Sequence, residues 1–224
     1  MAQAIGTTLT KAFAIAISVI PLVGLIVFVT AKGGRAKGAA YTSGWFLSLW
    51  LATFALSWIG TAALSGSDGK PSTGVALLQV GLGVIFFAIS VWFIANRPKA
   101  PSQVKQPGWM TAVDSTSAVV AFGIGAFGVV VNGKNLPLIV SAAVDFSLAN
   151  LRVGQLAVVV TIFAFTGTML AMLPLVYALI RPQSSAKLLD EMRTWLIVHN
   201  APIMAAIFAL MGVSFLGQAI SAFG

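Results

Sequence analysis

Long apolar stretches without a charged residue divide this chain, and they limit its fold more than any other feature. Five such blocks lie between charged residues, and a sixth follows Arg193 to the end. Their boundaries are Lys11 and Lys32, Lys37 and Asp68, Lys70 and Arg97, Asp114 and Lys134, and Arg152 and Arg181. About 20 apolar residues cross a bilayer core of roughly 30 Å as a helix. Six membrane spans are therefore expected.

The composition agrees with a membrane solvent. Only 8% of the 224 residues are charged and 58% are hydrophobic, whereas a soluble domain carries about 25% charged residues. The sequence therefore predicts an all-α integral membrane protein.

The basic residues indicate the orientation of these spans. Nine of them fall in three short connections: Lys32, Arg35 and Lys37; Arg97, Lys99 and Lys105; Arg181, Lys187 and Arg193. In the alternate connections, Asp68 balances Lys70 and Asp145 balances Arg152. The positive-inside rule then predicts cytoplasmic basic loops, with both termini outside an inner (plasma) membrane. The net charge of +8 is thus assigned to topology, and no nucleic-acid partner is expected.

The predicted spans fall into two sets of three. They cover about 12–30, 39–64, 75–95, 115–144, 153–180 and 201–223. Residues 1–97 form a first three-helix repeat, 98–114 a cytoplasmic linker and 115–224 a second repeat. Because three is odd, the second repeat enters the membrane inverted, as in many transporters. Residues 184–200 have apolar positions at helical spacing and predict an amphipathic interfacial helix.

The fourth span is predicted to be discontinuous. Asn132, Gly133, Lys134 and Asn135 interrupt an otherwise apolar segment, which indicates two half-helices. Pro21 lies near the middle of the first span, the equivalent place in the other repeat, where it would kink the helix and free a carbonyl. In inverted-repeat folds the solute site lies near the midplane, beside such broken helices.

Lys134 is the strongest site candidate in the sequence. An ammonium near the bilayer centre costs at least about 2.5 kcal/mol, so it is expected to line a cavity and meet an anionic head group. The alternative is that it snorkels to the interface. Asn132 and Asn135 would supply hydrogen bonds at the break. Asp145 lies about 16 Å further along an ideal helix, so it is a partner only if the segment folds back.

Two further residues complete the predicted path. Asp114 either lines it or simply favours a helix N-terminus. His199 is either interfacial or a protonation site. The predicted substrate or ion path is Pro21, Asp114, Asn132, Lys134, Asn135 and Asp145, with His199 as the protonation candidate.

Enzyme chemistry is not expected. The chain has no cysteine, one histidine and five acidic residues, and neither a metal site, a cofactor nor a catalytic triad is predicted. Residues 123–128 match GxGxxG, and residues 128–134 match GxxxxGK. Neither follows a strand of a soluble βαβ unit, so the glycines are interpreted as helix-packing positions.

Five segments resemble one known family. They are IPL at 20–22, KGGRAKG at 32–38, WMTAVDS at 109–115, NGKNL at 132–136 and RTWLIVHN at 193–200. Along essentially its whole length the chain resembles the glycopeptidolipid- and sulfolipid-addressing (GAP/Sap) family of actinobacteria, within the lysine-exporter superfamily. The family pattern has proline where this chain has Gly133, a change that keeps the break but adds backbone freedom.

The resemblance implies export of an envelope glycolipid or lipid precursor, alongside a larger lipid transporter. Two alternatives stay open: an amino-acid-type exporter, and a structural subunit of a lipid-transport complex. Lipid export predicts an apolar lateral opening between spans. An amino-acid exporter predicts a closed polar cavity, and a structural subunit predicts a protein interface without an internal path. A homodimer is a reasonable expectation for so small a bundle.

Overall fold

The computed structural model describes residues 1–64, 73–96, 113, 115–181 and 185–223. Within these ranges the chain is helical apart from short turns. The helices are α1 (Ala2–Ala16), α2 (Val19–Thr30), α3 (Gly34–Leu64), α4 (Thr73–Ala95), α5 (Ala118–Val131), α6 (Asn135–Leu148), α7 (Val153–Ile180), α8 (Ser185–Val198) and α9 (Asn200–Phe223).

Several of these helices can cross a membrane. Within the described residues, α3, α7 and α9 are each long and apolar enough to do so. Two further spans arise if each bent pair counts as one: α1 with α2, bent by 53°, and α5 with α6, bent by 75°. With three to five candidate spans, the chain is a multi-pass membrane protein.

The break in the first bent pair differs from the predicted kink. Helix α1 begins at Ala2, well before the predicted start at residue 12, and the chain breaks at Ile17 and Ser18 rather than at Pro21. Pro21 lies in the first turn of α2, where a missing N–H breaks no helical hydrogen bond. The predicted start of the first span is wrong because a lysine normally indicates the boundary with water, whereas the Lys11 side chain is buried.

The predicted break at residues 132–135 is confirmed, whereas the assignment of both helices to one span stays a prediction. Helix α5 ends at Val131 and α6 begins at Asn135, so the polar residues occupy the break itself. At the other end of α5, the Ser117 hydroxyl accepts a hydrogen bond from the Val120 N–H at 3.2 Å. This cap satisfies one of the backbone donors that a helix start leaves free.

A tight glycine turn joins α2 to α3. Gly33 has a φ of 71°, a left-handed conformation that glycine adopts without strain. At Gly34 a Cβ would lie 2.0 Å from the Val29 carbonyl oxygen, so a side chain does not fit there. Lys37, predicted as a loop cation, is instead buried within α3, and its Nζ donates to the Val113 carbonyl at 3.0 Å.

The predicted amphipathic helix is present as α8. Its Leu189 and Leu196 are buried, whereas Leu188 and Trp195 are exposed. Helix α8 packs against α2, α7 and α9. The predicted linker at 98–114 lies outside the described residues except for Val113.

Glycines allow the closest helix contacts. A Cβ on Gly125 of α5 would lie 2.1 Å from the Tyr41 carbonyl oxygen of α3, and one on Gly44 of α3 would lie 2.1 Å from the Phe122 carbonyl oxygen of α5. The interpretation of the GxGxxG segment as a packing surface is therefore confirmed at Gly125.

Candidate functional site

The two chain breaks meet each other inside the molecule. Lys134 stands at the start of α6 and is only 1% exposed. Its ammonium donates to the carbonyl of Ala14 and lies 3.4 Å from the carbonyl of Ile15. Both carbonyls belong to the last turn of α1, where helical acceptors lack intrahelical partners and a cation is favoured. Lys134 thus joins the second broken span to the end of α1.

The two asparagines of the break make different contacts. Asn132 donates from Nδ2 to the Ser18 hydroxyl at 2.8 Å, and Ser18 is the buried residue that precedes α2. Asn135 is fully buried and donates from Nδ2 to the Val129 carbonyl at 3.2 Å. Its Oδ1 is buried without a hydrogen-bond partner among the described residues. The break therefore combines a direct link to the other break with one unused acceptor.

A buried ion pair forms a second link between the broken spans. Lys11 of α1 and Asp145 of α6 are 2.5 Å apart from Nζ to Oδ2, and their side chains are 4% and 21% exposed. The Lys11 ammonium also lies 3.5 Å from the Ser141 carbonyl. Asp145, which the sequence pattern groups with Arg152 in one connection, lies within α6 and contacts Lys11 of α1. Lys11 was not among the predicted site residues.

An apolar cleft opens beside this ion pair. It lies between α1, α6 and α9 and has a volume of about 130 Å³. Its walls include Leu138 of α6, Met211 and Phe215 of α9, and Phe13 of α1. Phe13 is 44% exposed and Leu210, at the rim, is 70% exposed. The cleft therefore opens onto the exposed apolar surface of these helices.

Lys11 gives the cleft its charge. Among the described residues that line the cleft, it is the only charged one, and Thr10 and Ser214 add hydroxyl groups. Lys134 does not belong to this lining. Of the two buried lysines at the broken spans, Lys11 is thus the one that a molecule in the cleft would meet.

The remaining predicted residues lie apart from the cleft. Pro21 is three residues beyond Ser18 in α2, and Asp114 lies outside the described residues. His199, at the junction of α8 and α9, has its Nδ1 2.8 Å from the Trp195 carbonyl and its ring stacked on that indole, with centroids 4.5 Å apart. This hydrogen bond requires the proton on Nδ1. The structure brings together Asn132, Lys134 and Asn135, but not His199.

Apolar helices and two bent helix pairs joined by buried polar contacts define a multi-pass membrane protein. A model of the family described as Sap, sulfolipid-1-addressing protein, matches residues 9–221. The chain belongs to this family, and the resemblance found in the sequence is confirmed. No curated protein and no solved structure matches the chain.

Proposed function

We propose that the protein moves an envelope lipid or lipid precursor across the inner membrane. The observation that carries this proposal is the apolar cleft between α1, α6 and α9, with the buried Lys11 in its lining. A lipid has an apolar body and a polar head, and this cleft offers a surface for each. The family description, which names a lipid-addressing protein, supports the same class of substrate.

The shape of the cleft favours a lipid over an amino acid. A site for an amino acid would need polar partners for both its ammonium and its carboxylate, inside an enclosure that excludes lipid. The cleft is mostly apolar and open at the side instead. Its volume of about 130 Å³ is also below the roughly 300–1,000 Å³ of pockets that enclose whole small molecules. A lipid would place only the part next to its head group there, with its chains in the bilayer.

The packing supports two inverted repeats with six spans. Each broken pair packs against the long helix of the opposite half: α1 and α2 contact α7, and α5 and α6 contact α3. Helices α3 and α7 also contact each other, as do α4 and α9. Packing of each broken pair on the long helix of the other half is expected when two equivalent halves interlock. In this arrangement α4 is the third span in chain order and brings the total to six, and both termini lie outside.

The working complex is also part of the proposal. The protein acts as a transporter rather than an enzyme, needs no cofactor, and works as a homodimer or beside a larger lipid transporter. Uphill export then draws on an ion gradient or on that partner. The structural-subunit alternative predicts that the partner alone moves lipid and that this protein does not.

Deletion of the gene in its own organism tests the proposed function. Surface lipids and cell-associated lipids are extracted separately and compared with those of the parent strain and of a strain complemented with the wild-type gene. We expect one lipid class to fall at the surface and accumulate in the cells, with recovery on complementation. Unchanged lipid in both fractions would contradict the proposal.

A further inference from the structure

The ion pair beside the cleft has two unusual properties: its side chains are unequally buried, and the Lys11 ammonium has fewer acceptors than donors. The Lys11 side chain is almost fully buried, yet the Asp145 side chain retains about a fifth of its exposure. The ammonium can donate three hydrogen bonds. Within the described residues it has two acceptors, the Asp145 carboxylate and the more distant Ser141 carbonyl. One N–H is left for a further acceptor.

The surroundings decide which acceptor fits. Because Lys11 lies at the inner edge of a mostly apolar cleft, a molecule that reaches it must have an apolar part in contact with Phe13, Leu138 and Met211. A neutral acceptor could take the remaining N–H, but only an anionic group can replace the carboxylate as the charged partner of the ammonium. In such a low-dielectric site the attraction between an anion and the ammonium is stronger than in water. An amphiphile with a sulfate, phosphate or carboxylate head group meets both requirements.

We propose that Lys11 is the head-group site of an anionic amphiphile, and that the bound head group replaces Asp145 as the partner of the ammonium. This inference rests on the proposed function and names the class of substrate. The exchange has a structural consequence, because the Lys11–Asp145 contact joins α1 to α6. Binding would release this link while the contacts of Lys134 and Asn132 at the breaks remain.

If the head group replaces Asp145, substitutions of Lys11 and of Asp145 should change head-group binding in opposite directions. Lys11→Met removes the cation that receives the head group. Asp145→Asn removes the competing carboxylate but leaves the cation. A pair that only stabilises the fold predicts the same direction for both changes, since either one leaves a buried charge without its partner.

The test uses the full-length protein in phosphatidylcholine nanodiscs. The probes are sulfated galactosylceramide and unsulfated galactosylceramide, which differ only in the anionic group, and native mass spectrometry counts the lipids that remain bound. Wild-type protein should prefer the sulfated probe. Lys11→Met should reduce that preference by about tenfold or more, as expected for one charge-assisted hydrogen bond. Asp145→Asn should increase it.

Two controls keep the test decisive. Lys187→Met makes the same chemical change at an exposed position of α8 and should keep the wild-type preference. The double variant Lys11→Met with Asp145→Asn leaves no unpaired buried charge, so it should fold even where Lys11→Met alone does not. It should bind both probes equally.

Several outcomes would overturn the proposal: a preserved preference in the double variant, a loss of preference in Asp145→Asn, or competition by free inorganic sulfate as strong as that by the sulfated lipid. The last result would indicate a small-anion site. The gene-deletion experiment is independent of these results. If export depends on the gene but the double variant still prefers the sulfated probe, only the head-group site is wrong.

Discussion

Lys134 is almost completely buried, and its contacts explain how the fold accommodates its side chain. At 1% exposure its side chain does not reach the surface of the protein, which argues against snorkelling into water. The Ala14 and Ile15 carbonyls take the place of hydration, and they are acceptors that the end of α1 leaves free. These carbonyls already contact the Lys134 ammonium. The predicted attraction of Lys134 for an anionic head group stays a prediction.

Replacing Lys134 tests this role in the fold. Lys134→Met should lower the free energy of unfolding by about 1–3 kcal/mol, since it leaves buried carbonyls without a donor. The measurement is the thermal unfolding midpoint of the purified protein in a mild detergent. Lys187→Met, at an exposed site, should leave the midpoint unchanged. Equal midpoints for Lys134→Met and wild type would contradict the capping role.

The residues of the second break could be predicted from the sequence because polar groups stand out inside an apolar block. Lys11 could not, because it lies at the edge of a block, where a charge normally marks the boundary with water. For Asp145 the sequence suggests Lys134 as a partner only if the segment folds back, and it gives no indication of Lys11. The available signal for a long-range pair was one isolated lysine at the edge of an apolar block and one isolated aspartate between Val144 and Phe146.

Helix α5 shows how one glycine differs from another in the same segment. Gly125 lies against the backbone of α3, whereas an added Cβ on Gly123 would have no atom within 4 Å. The two positions share a helix and a residue type, so they form a matched pair.

The pair gives a prediction about helix packing. Gly125→Ala should destabilise the protein, because α3 and α5 must move apart, and Gly123→Ala should be neutral or stabilising by up to about 1 kcal/mol through its effect on helix propensity. Thermal unfolding midpoints of both variants provide the measurement. A Gly125→Ala protein as stable as Gly123→Ala would show that the close approach is not needed.

The sequence predicted the break in the fourth span correctly but placed the break in the first span at the wrong residue. The second break has its own polar segment, from Asn132 to Asn135. At the first, Ser18 is the only polar residue, while Pro21 is the conventional signal for a kink. The position was decided by tertiary contacts: Asn132 binds Ser18 and Lys134 binds the end of α1. Neither contact can be read from local propensity.

For the molecule as a whole, the distribution of basic residues predicts its orientation. Because the chain has no cysteine, single cysteines can be introduced without first removing others. Ala149→Cys, in the exposed turn after α6, should react with a membrane-impermeant maleimide in intact cells. Arg35→Cys and Lys187→Cys, both at exposed positions, should react only after permeabilisation. External labelling of Arg35→Cys would contradict the predicted topology.

Lipid movement by the purified protein tests the central claim most directly. Vesicles of phosphatidylcholine carry a trace of a fluorescent anionic lipid, and dithionite bleaches only the molecules in the outer leaflet. Without protein, bleaching stops once that leaflet is exhausted. With wild-type protein or the Lys187→Met control, it should continue as lipid from the inner leaflet reaches the outer one. If bleaching still stops at the outer leaflet with folded, inserted wild-type protein, the chain does not move lipid by itself.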